Sequence, residues 1–355
     1  MKKLATLMSL VLVLCLLAGC VGTPVVYNCT EDHSTTAPVE SLSTENTNVP
    51  TVEGALKTGL AITASLAKSE NAVKADYDVT MVAVLVDDNG VIQDCIIDGI
   101  AKSLAFDATG TITDDITAPV QTKNELGENY GMVAWGGAKY EWNVQADALA
   151  QYAVGKTVEE LKNGAVNEQG RAPEGSDLAS TATIYLGGYV AAIEKAVANA
   201  KHLGAQAGDE LKLASINSLK SSVGATAEAA GTAQLDCDVT ALTEKDGVIT
   251  SCYIDSLQAK VSFDTTGTIT TDLTAPVETK NELGDRYGMV AWAGATAEWD
   301  AQAASFAAYV TGKTADQVQG IAVNEKTAPT DADLATSVTI AIGGFQALIL
   351  KALAA

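Results

Sequence analysis

The chain has 355 residues, enough for two ordinary domains, and 47% of them are hydrophobic, which supports real cores and argues against a disordered chain. Its formal charge is −22, the opposite of the basic face a nucleic-acid binder needs to displace counterions. The only histidines, His33 and His202, lie outside the repeated units described below, which excludes a His-based triad or a His-ligated metal within either unit.

Residues 1–20 read as a secretion signal: Lys2 and Lys3 form a positive start, and Leu10–Leu17 is an apolar run too short for a settled membrane span. The signal ends in Leu17-Ala18-Gly19-Cys20, which resembles a bacterial lipobox. That resemblance implies that Cys20 is acylated, heads the mature chain and anchors it to the extracellular face of the cell membrane through lipid chains. Otherwise Cys20 is incidental to an ordinary secretory signal. Removing Lys2 and Lys3 with the signal would leave −24, two units below −22, a charge suited to solubility and mutual repulsion in a crowded surface layer. Residues 21–52, rich in Ser, Thr, Pro, Asn and Glu and without periodicity, read as a solvated tether.

Residues 53–200 and 209–355 are two copies of one unit, joined by a linker over 201–208. Phe106, Trp135, Trp142, Lys156 and Asn167 recur as Phe263, Trp292, Trp299, Lys313 and Asn324, and one residue is lost near Gly170. A period this long, with strands and helices in each copy, predicts two tandem domains.

Within each unit a short helix is expected first, around Ala55–Ala67 and Leu211–Ser221. Two alternating, β-branched runs follow, Asp78–Val86 and Val91–Asp98, separated by the hairpin turn Asp87-Asp88-Asn89-Gly90, with Asp246-Gly247 at the same place in the second copy. A further strand is expected over Ala101–Phe106, with a turn at Thr109-Gly110. The stretches Thr122-Lys123-Asn124-Glu125-Leu126-Gly127 and Tyr130-Gly131-Met132 carry few β signals. A helix over about Ala138–Tyr152 comes next, with Trp142, Gln145, Leu149 and Tyr152 on or near one face and Gly155 at its end. Thr157-Val158-Glu159-Glu160 and Thr314-Ala315-Asp316-Gln317 fit capping boxes. The fold class is α+β: two tandem homologous domains, each a mainly antiparallel sheet with packed helices.

Beyond Cys15 and Cys20 stand Cys29, Cys95, Cys237 and Cys252. Cys237 and Cys252 flank the second hairpin turn nearly symmetrically, so they either bridge across it or stay buried as small apolar thiols. No spacing suggests a metal or iron–sulfur site.

Near its end each copy carries Asp177-Leu178-Ala179-Ser180-Thr181-Ala182-Thr183 or Asp333-Leu334-Ala335-Thr336-Ser337-Val338-Thr339. An Asp lies six residues before the final Thr and a hydroxyl residue three before it. Gly187-Gly188 or Gly343-Gly344 and an Ala-rich helical run follow. This pattern resembles the flavinylation motif of the FMN-binding domain family. The layout of the two copies, with Thr-Lys-Asn-Glu-Leu-Gly, Tyr-Gly-Met and Glu-Trp-x-x-Gln (Glu141, Trp142, Gln145; Glu298, Trp299, Gln302), is similar to that of flavinylated surface lipoproteins of bacterial extracellular electron transfer. The resemblance covers nearly the whole chain beyond the tether. The family's usual Gly is replaced by Thr181 and Ser337, and its Ala by Val338 in the second copy. Ser222-Val223-Gly224-Ala225-Thr226 also holds a literal Gly-Ala-Thr, but Lys220 stands where the Asp would be and the first copy has no counterpart.

The resemblance implies one FMN per domain, joined by a phosphoester to Thr183 and Thr339 and installed by a separate FAD-dependent FMN transferase that uses magnesium. Thr offers a hydroxyl on a stiff side chain, and a nearby helix start favours the phosphate. Asp177 and Asp333 would fix the loop or hold the transferase's metal, beside Ser180 and Thr336. Trp142, Tyr130 and Met132, with Trp299, Tyr287 and Met289, are the candidate walls for the isoalloxazine ring. The alternatives are surface threonines on a plain β-strand, tryptophans packing helix on sheet, and solvated Lys123 and Lys280. The implied function is a membrane-anchored electron carrier and not an enzyme. It would take electrons from a membrane quinol or NADH dehydrogenase and pass them to extracellular acceptors or free flavins. The competing readings are a surface-exposed ligand-binding or structural repeat lipoprotein without a redox cofactor, and a sensor holding FMN noncovalently.

Overall fold

Two antiparallel hairpins, each extended by one strand, set the frame of the computed structural model, which describes residues 54–355. The signal, Cys20, Cys29, His33 and the tether lie outside the described residues. In the first half β1 (Lys57–Ser65), β2 (Lys74–Val86) and β3 (Ile92–Ala105) form a three-stranded sheet in that order. Helices α1 (Lys123–Leu126), α2 (Trp142–Ala153), α3 (Val158–Ala165), α4 (Asp177–Thr181) and α5 (Gly187–Ala198) follow. The second half repeats the order with β4 (Glu210–Ser218), β5 (Gly231–Lys245), β6 (Val248–Phe263), α6 (Lys280–Leu283), α7 (Met289–Ala293), α8 (Trp299–Val310), α9 (Ala315–Gln319), α10 (Leu334–Ser337) and α11 (Gly343–Leu353), where α7 takes the place of a turn in the first half. The protein is α+β, with two antiparallel three-stranded sheets and packed helices. Among the described residues no helix is long and apolar enough to cross a membrane.

The period of two along each strand sorts side chains to two faces. In β2, Tyr77, Val79, Met81, Ala83 and Leu85 point one way, into a core shared with Leu235, Val239, Leu257 and Phe263 of the second half. Val82, Val84 and Val86 point the other way, onto Trp142, Leu149 and Ile193 of the helices. Ile249, Cys252 and Ile254 meet Trp299, Phe306 and Leu348 in the same manner. The order of layers is therefore helices, sheet, sheet, helices, all within one compact unit.

The halves meet in reciprocal contacts, as across a two-fold axis. Lys195 pairs with Glu282 at 2.7 Å and its counterpart Lys351 pairs with Glu125. Ala72 N–H donates to Gly267 O, and Ala225 N–H donates to Gly110 O, each at 2.7 Å. On the axis relation itself the equivalent rings of Phe106 and Phe263 stack at 4.1 Å, within 4° of parallel.

The expected opening helices are strands. Leu60 and Ile62 face the shared core while Ala61 faces the helices, so β1 is buried on both sides and reads as an unbroken apolar run. The strand expected at Ala101–Phe106 is the continuation of β3, paired with β2 from Ala105 back to Ile92. Helix α2 begins at Trp142, four residues later than expected, because Glu141 is extended at its N-cap. The Cys237–Cys252 bridge does not form: Cys237 lies opposite Leu257 and faces the shared core, whereas Cys252 lies opposite Leu242 and faces the helices. Burial raises all three described thiols above the ordinary range, Cys252 to about 12, so they stay protonated and inert. The hairpin turns and both expected capping boxes are present, and Thr122–Glu125 and Thr279–Glu282 add two more.

Because the Phe106–Phe263 stack serves both halves, Phe106→Ala should cost about 3–5 kcal/mol in urea unfolding while leaving a single cooperative transition for both halves. Two separate transitions, with the second half undisturbed, would contradict a shared core.

Candidate functional site

Thr183 lies in the loop between α4 and α5, exposed, and not on a strand. The loop is fixed from below by Gln145 on α2, which is fully buried. Its Oε1 accepts from Thr183 N–H at 2.8 Å, Thr183 Oγ1 at 3.1 Å and Ile184 N–H at 3.1 Å. Its Nε2 donates to Tyr140 O at 2.8 Å. The second half repeats the arrangement: Gln302 Oε1 accepts from Thr339 N–H at 2.8 Å, Thr339 Oγ1 at 3.1 Å and Ile340 N–H at 3.2 Å. A β-branched side chain pinned at its backbone and its hydroxyl has almost no torsional freedom, so the hydroxyl is presented at one fixed point on the surface.

The flanking motif residues build the same loop cluster. Glu141 accepts from Met132 and Val133 N–H, both at 2.9 Å, and so closes the Tyr-Gly-Met turn over the start of α2. Glu298 does the same for Met289 and Val290, at 2.8 and 2.9 Å. Lys139 Nζ donates to Ser180 O at 3.3 Å, which ties this turn to the threonine loop. Beneath it, Asn124 N–H donates to Asp98 and Asn281 N–H to Asp255, each at 3.1 Å. Burial raises both carboxyls, Asp255 to about 6.

Ser180 Oγ donates to Asp177 O at 2.6 Å and Thr336 Oγ1 to Asp333 O at 2.7 Å, so the hydroxyl three residues before each Thr closes its own helical turn. The carboxylates of Asp177 and Asp333 are exposed and, among the described residues, accept no hydrogen bond. They do not fix the loop. The expected ring walls are placed differently from a slot. Trp142 and Trp299 are 3% and 6% exposed, and Trp142 Nε1 donates to Tyr189 Oη at 2.9 Å. Lys123 is buried, not solvated; its amine lies 4.9 Å from the Trp142 ring and 5.6 Å from the Tyr130 ring, and pairs with Asp78 at 3.4 Å. Lys280 is half-buried and repeats this between Tyr287 at 5.2 Å and Trp299 at 4.7 Å. Tyr130, Met132, Tyr287 and Met289 are half-buried against the helix-side cores.

Among the described residues the most exposed aromatic rings are Trp135 and Trp292, 84% and 89% exposed. Each folds over the glycine of its Tyr-Gly-Met turn, at φ +81° for Gly131 and +85° for Gly288, where a Cβ would strike the indole. Their repetition marked them in the sequence, but nothing there indicated exposure. The decoy Thr226 sits in a tight turn, its N–H bonded to Ala229 O at 2.8 Å, with no helix following.

Each half thus combines a fixed threonine on an exposed loop, a following helix whose first turn has no side-chain cap, and an exposed indole on the turn before the glutamine-bearing helix. Compared with known proteins, the chain matches no family model, no curated protein and no solved structure.

Gln145→Ala should leave the Thr183 and Ile184 N–H groups without their acceptor and cost on the order of 1–3 kcal/mol in urea unfolding, with a rise in amide exchange at 183 and 184. Asp255, whose folded pKa of about 6 exceeds its unfolded value near 3.8, destabilises the fold as pH rises through that window. Lowering pH from 7 toward 4 should therefore add stability on the order of 3 kcal/mol from this group, a gain that Asp255→Asn removes from the pH profile.

Proposed function

We propose that the chain is a membrane-anchored electron carrier of two tandem homologous domains, each bearing one FMN on Thr183 or Thr339. The observation that carries the reading is the pair of surface threonine hydroxyls, each held by a buried glutamine through the same three hydrogen bonds. A packing role alone gives no reason to bury an amide in order to fix an exposed side chain. The FMN, when attached, supplies the redox chemistry. The chain's own residues would position it: Thr183 and Thr339 give the point of attachment, and Trp135 and Trp292 offer exposed apolar faces. Asp177 and Asp333, free of other duties, suit the metal of an FAD-dependent FMN transferase during loading. Electrons would come from a membrane quinol or NADH dehydrogenase and leave to extracellular acceptors or free flavins. Cys20 would carry the lipid anchor.

One observation favours a second reading, a ligand-binding surface lipoprotein. A cavity of about 710 Å³ opens between the linker residues Lys201–Leu203 and helix α8, where Ala301, Ala304 and Ala308 leave space.

Thr183→Ala combined with Thr339→Ala distinguishes the two. Expressed with an FMN transferase and exported, the double variant should keep its fold by circular dichroism and lose all covalent flavin fluorescence on a denaturing gel, each single variant keeping about half. Flavin fluorescence that survives the double substitution would contradict attachment at these residues.

A further inference from the structure

The two threonine loops differ in charge, although their hydrogen bonds match. In the first, Arg171 Nη1 donates to Thr183 O, and Lys139 Nζ donates to Ser180 O at 3.3 Å. Both cations are exposed, and each bonds a backbone carbonyl of the stretch that presents the Thr183 hydroxyl. In the second, Thr296 stands at the place of Lys139 and Ala328 at the place of Arg171. The latter correspondence is structural: Asn167 Oδ1 accepts from Arg171 N–H and Asn324 Oδ1 from Ala328 N–H, each at 3.1 Å. Asp300 also replaces Asn143 at the start of the helix beneath. Lys326 is near in sequence, but its amine makes no hydrogen bond to the Thr339 loop among the described residues.

The shapes differ in a linked way. The ring of Tyr185 lies over Gly170, at φ +70°. In the second copy Ala341 replaces the tyrosine, and Thr327, held at φ +59°, turns its side chain toward Gly343. The first loop thus has an aromatic ring and two cations where the second has the small neutral Ala341, Ala328 and Thr296.

We propose that Arg171 and Lys139 make the first loop a phosphoanion subsite, so that Thr183 is loaded before Thr339. This rests on the flavin reading. In loading, the Thr183 oxygen forms a bond to the flavin-side phosphorus of FAD as the bond from that phosphorus to the bridging oxygen breaks. AMP leaves, and the hydroxyl proton passes to a base of the transferase or to water. Negative charge gathers on the phosphoryl oxygens next to the loop, where guanidinium and ammonium groups stabilise it most. The second loop has no equivalent cation, and the overall acidity of the chain opposes the approach of FAD there.

The experiment follows site occupancy over time with limiting transferase, FAD and magnesium on the exported full chain, by mass mapping of the two threonine peptides. Thr183 should fill about three- to tenfold faster than Thr339. Arg171→Ala with Lys139→Thr should remove that lead without changing the melting temperature, and Arg171→Lys should restore part of it. Ala328→Arg with Thr296→Lys should speed filling of Thr339. Equal filling, an earlier Thr339, or a lead that survives Arg171→Ala with Lys139→Thr would overturn the subsite while leaving the flavin reading intact. No flavin on either threonine, with a known acceptor protein loaded in parallel, would overturn both.

Discussion

One buried side-chain oxygen organises each site. Gln145 Oε1 takes three donors from the loop at 183–184, and its amide hydrogen goes to Tyr140 O, so a single residue couples the threonine loop to the turn before α2. An amide buried in a helix–sheet core is tolerated only when its polar atoms are satisfied, which makes the loop and the glutamine mutually dependent. Glu141, four residues earlier on the same helix start, holds the turn that carries Trp135 by the same logic. The helix is thus the rigid part from which both loops are hung, and the same buried face that carries Gln145 is locked to the sheet by Trp142, Ala146 and Leu149.

That rigidity in turn comes from the way the halves are assembled. Each sheet is covered by helices on one face and by the other sheet on the second, so no large apolar face is left open. The reciprocal Lys195–Glu282 and Lys351–Glu125 pairs tie the last helix of each half to the first short helix of the other. The Phe106–Phe263 stack is a further contact between the halves. Because the helices occupy the outer layers, the two threonine loops belong to opposite outer layers of one unit, each on its own helix–sheet platform. Such an arrangement suits two sites that meet separate partners at the surface.

Much of this was legible in the sequence. The hairpins showed in their alternation and Asp/Gly turns, the helix starts in their capping boxes, and the two loops in the repeated Asp, hydroxyl and Thr spacing. What failed did so for identifiable reasons. β1 and β4 read as helices because Leu60, Ala61 and Ile62 are all buried, and burial on both faces erases the period of two. The shared core was illegible because an apolar inner face looks the same whether a helix or a second sheet covers it. Trp142 suggested a ring wall, yet Lys123 fills the space between it and Tyr130, an interaction with no local signature. Gln145 was visible as part of Glu-Trp-x-x-Gln and of the Trp142–Leu149 face, but its role was not: in an apolar stripe a glutamine registers as an interruption, although here it is the residue on which the loop depends.

We propose that these two pinned hydroxyls carry a phosphoester-linked flavin. The measurement that meets it most directly is the intact mass of the exported chain, co-expressed with an FMN transferase, together with its visible spectrum. The expected product is a yellow protein heavier by two FMN groups less two waters, with the added mass mapping to Thr183 and Thr339. A colourless protein of unmodified mass, from cells in which the transferase loads another acceptor, would contradict it.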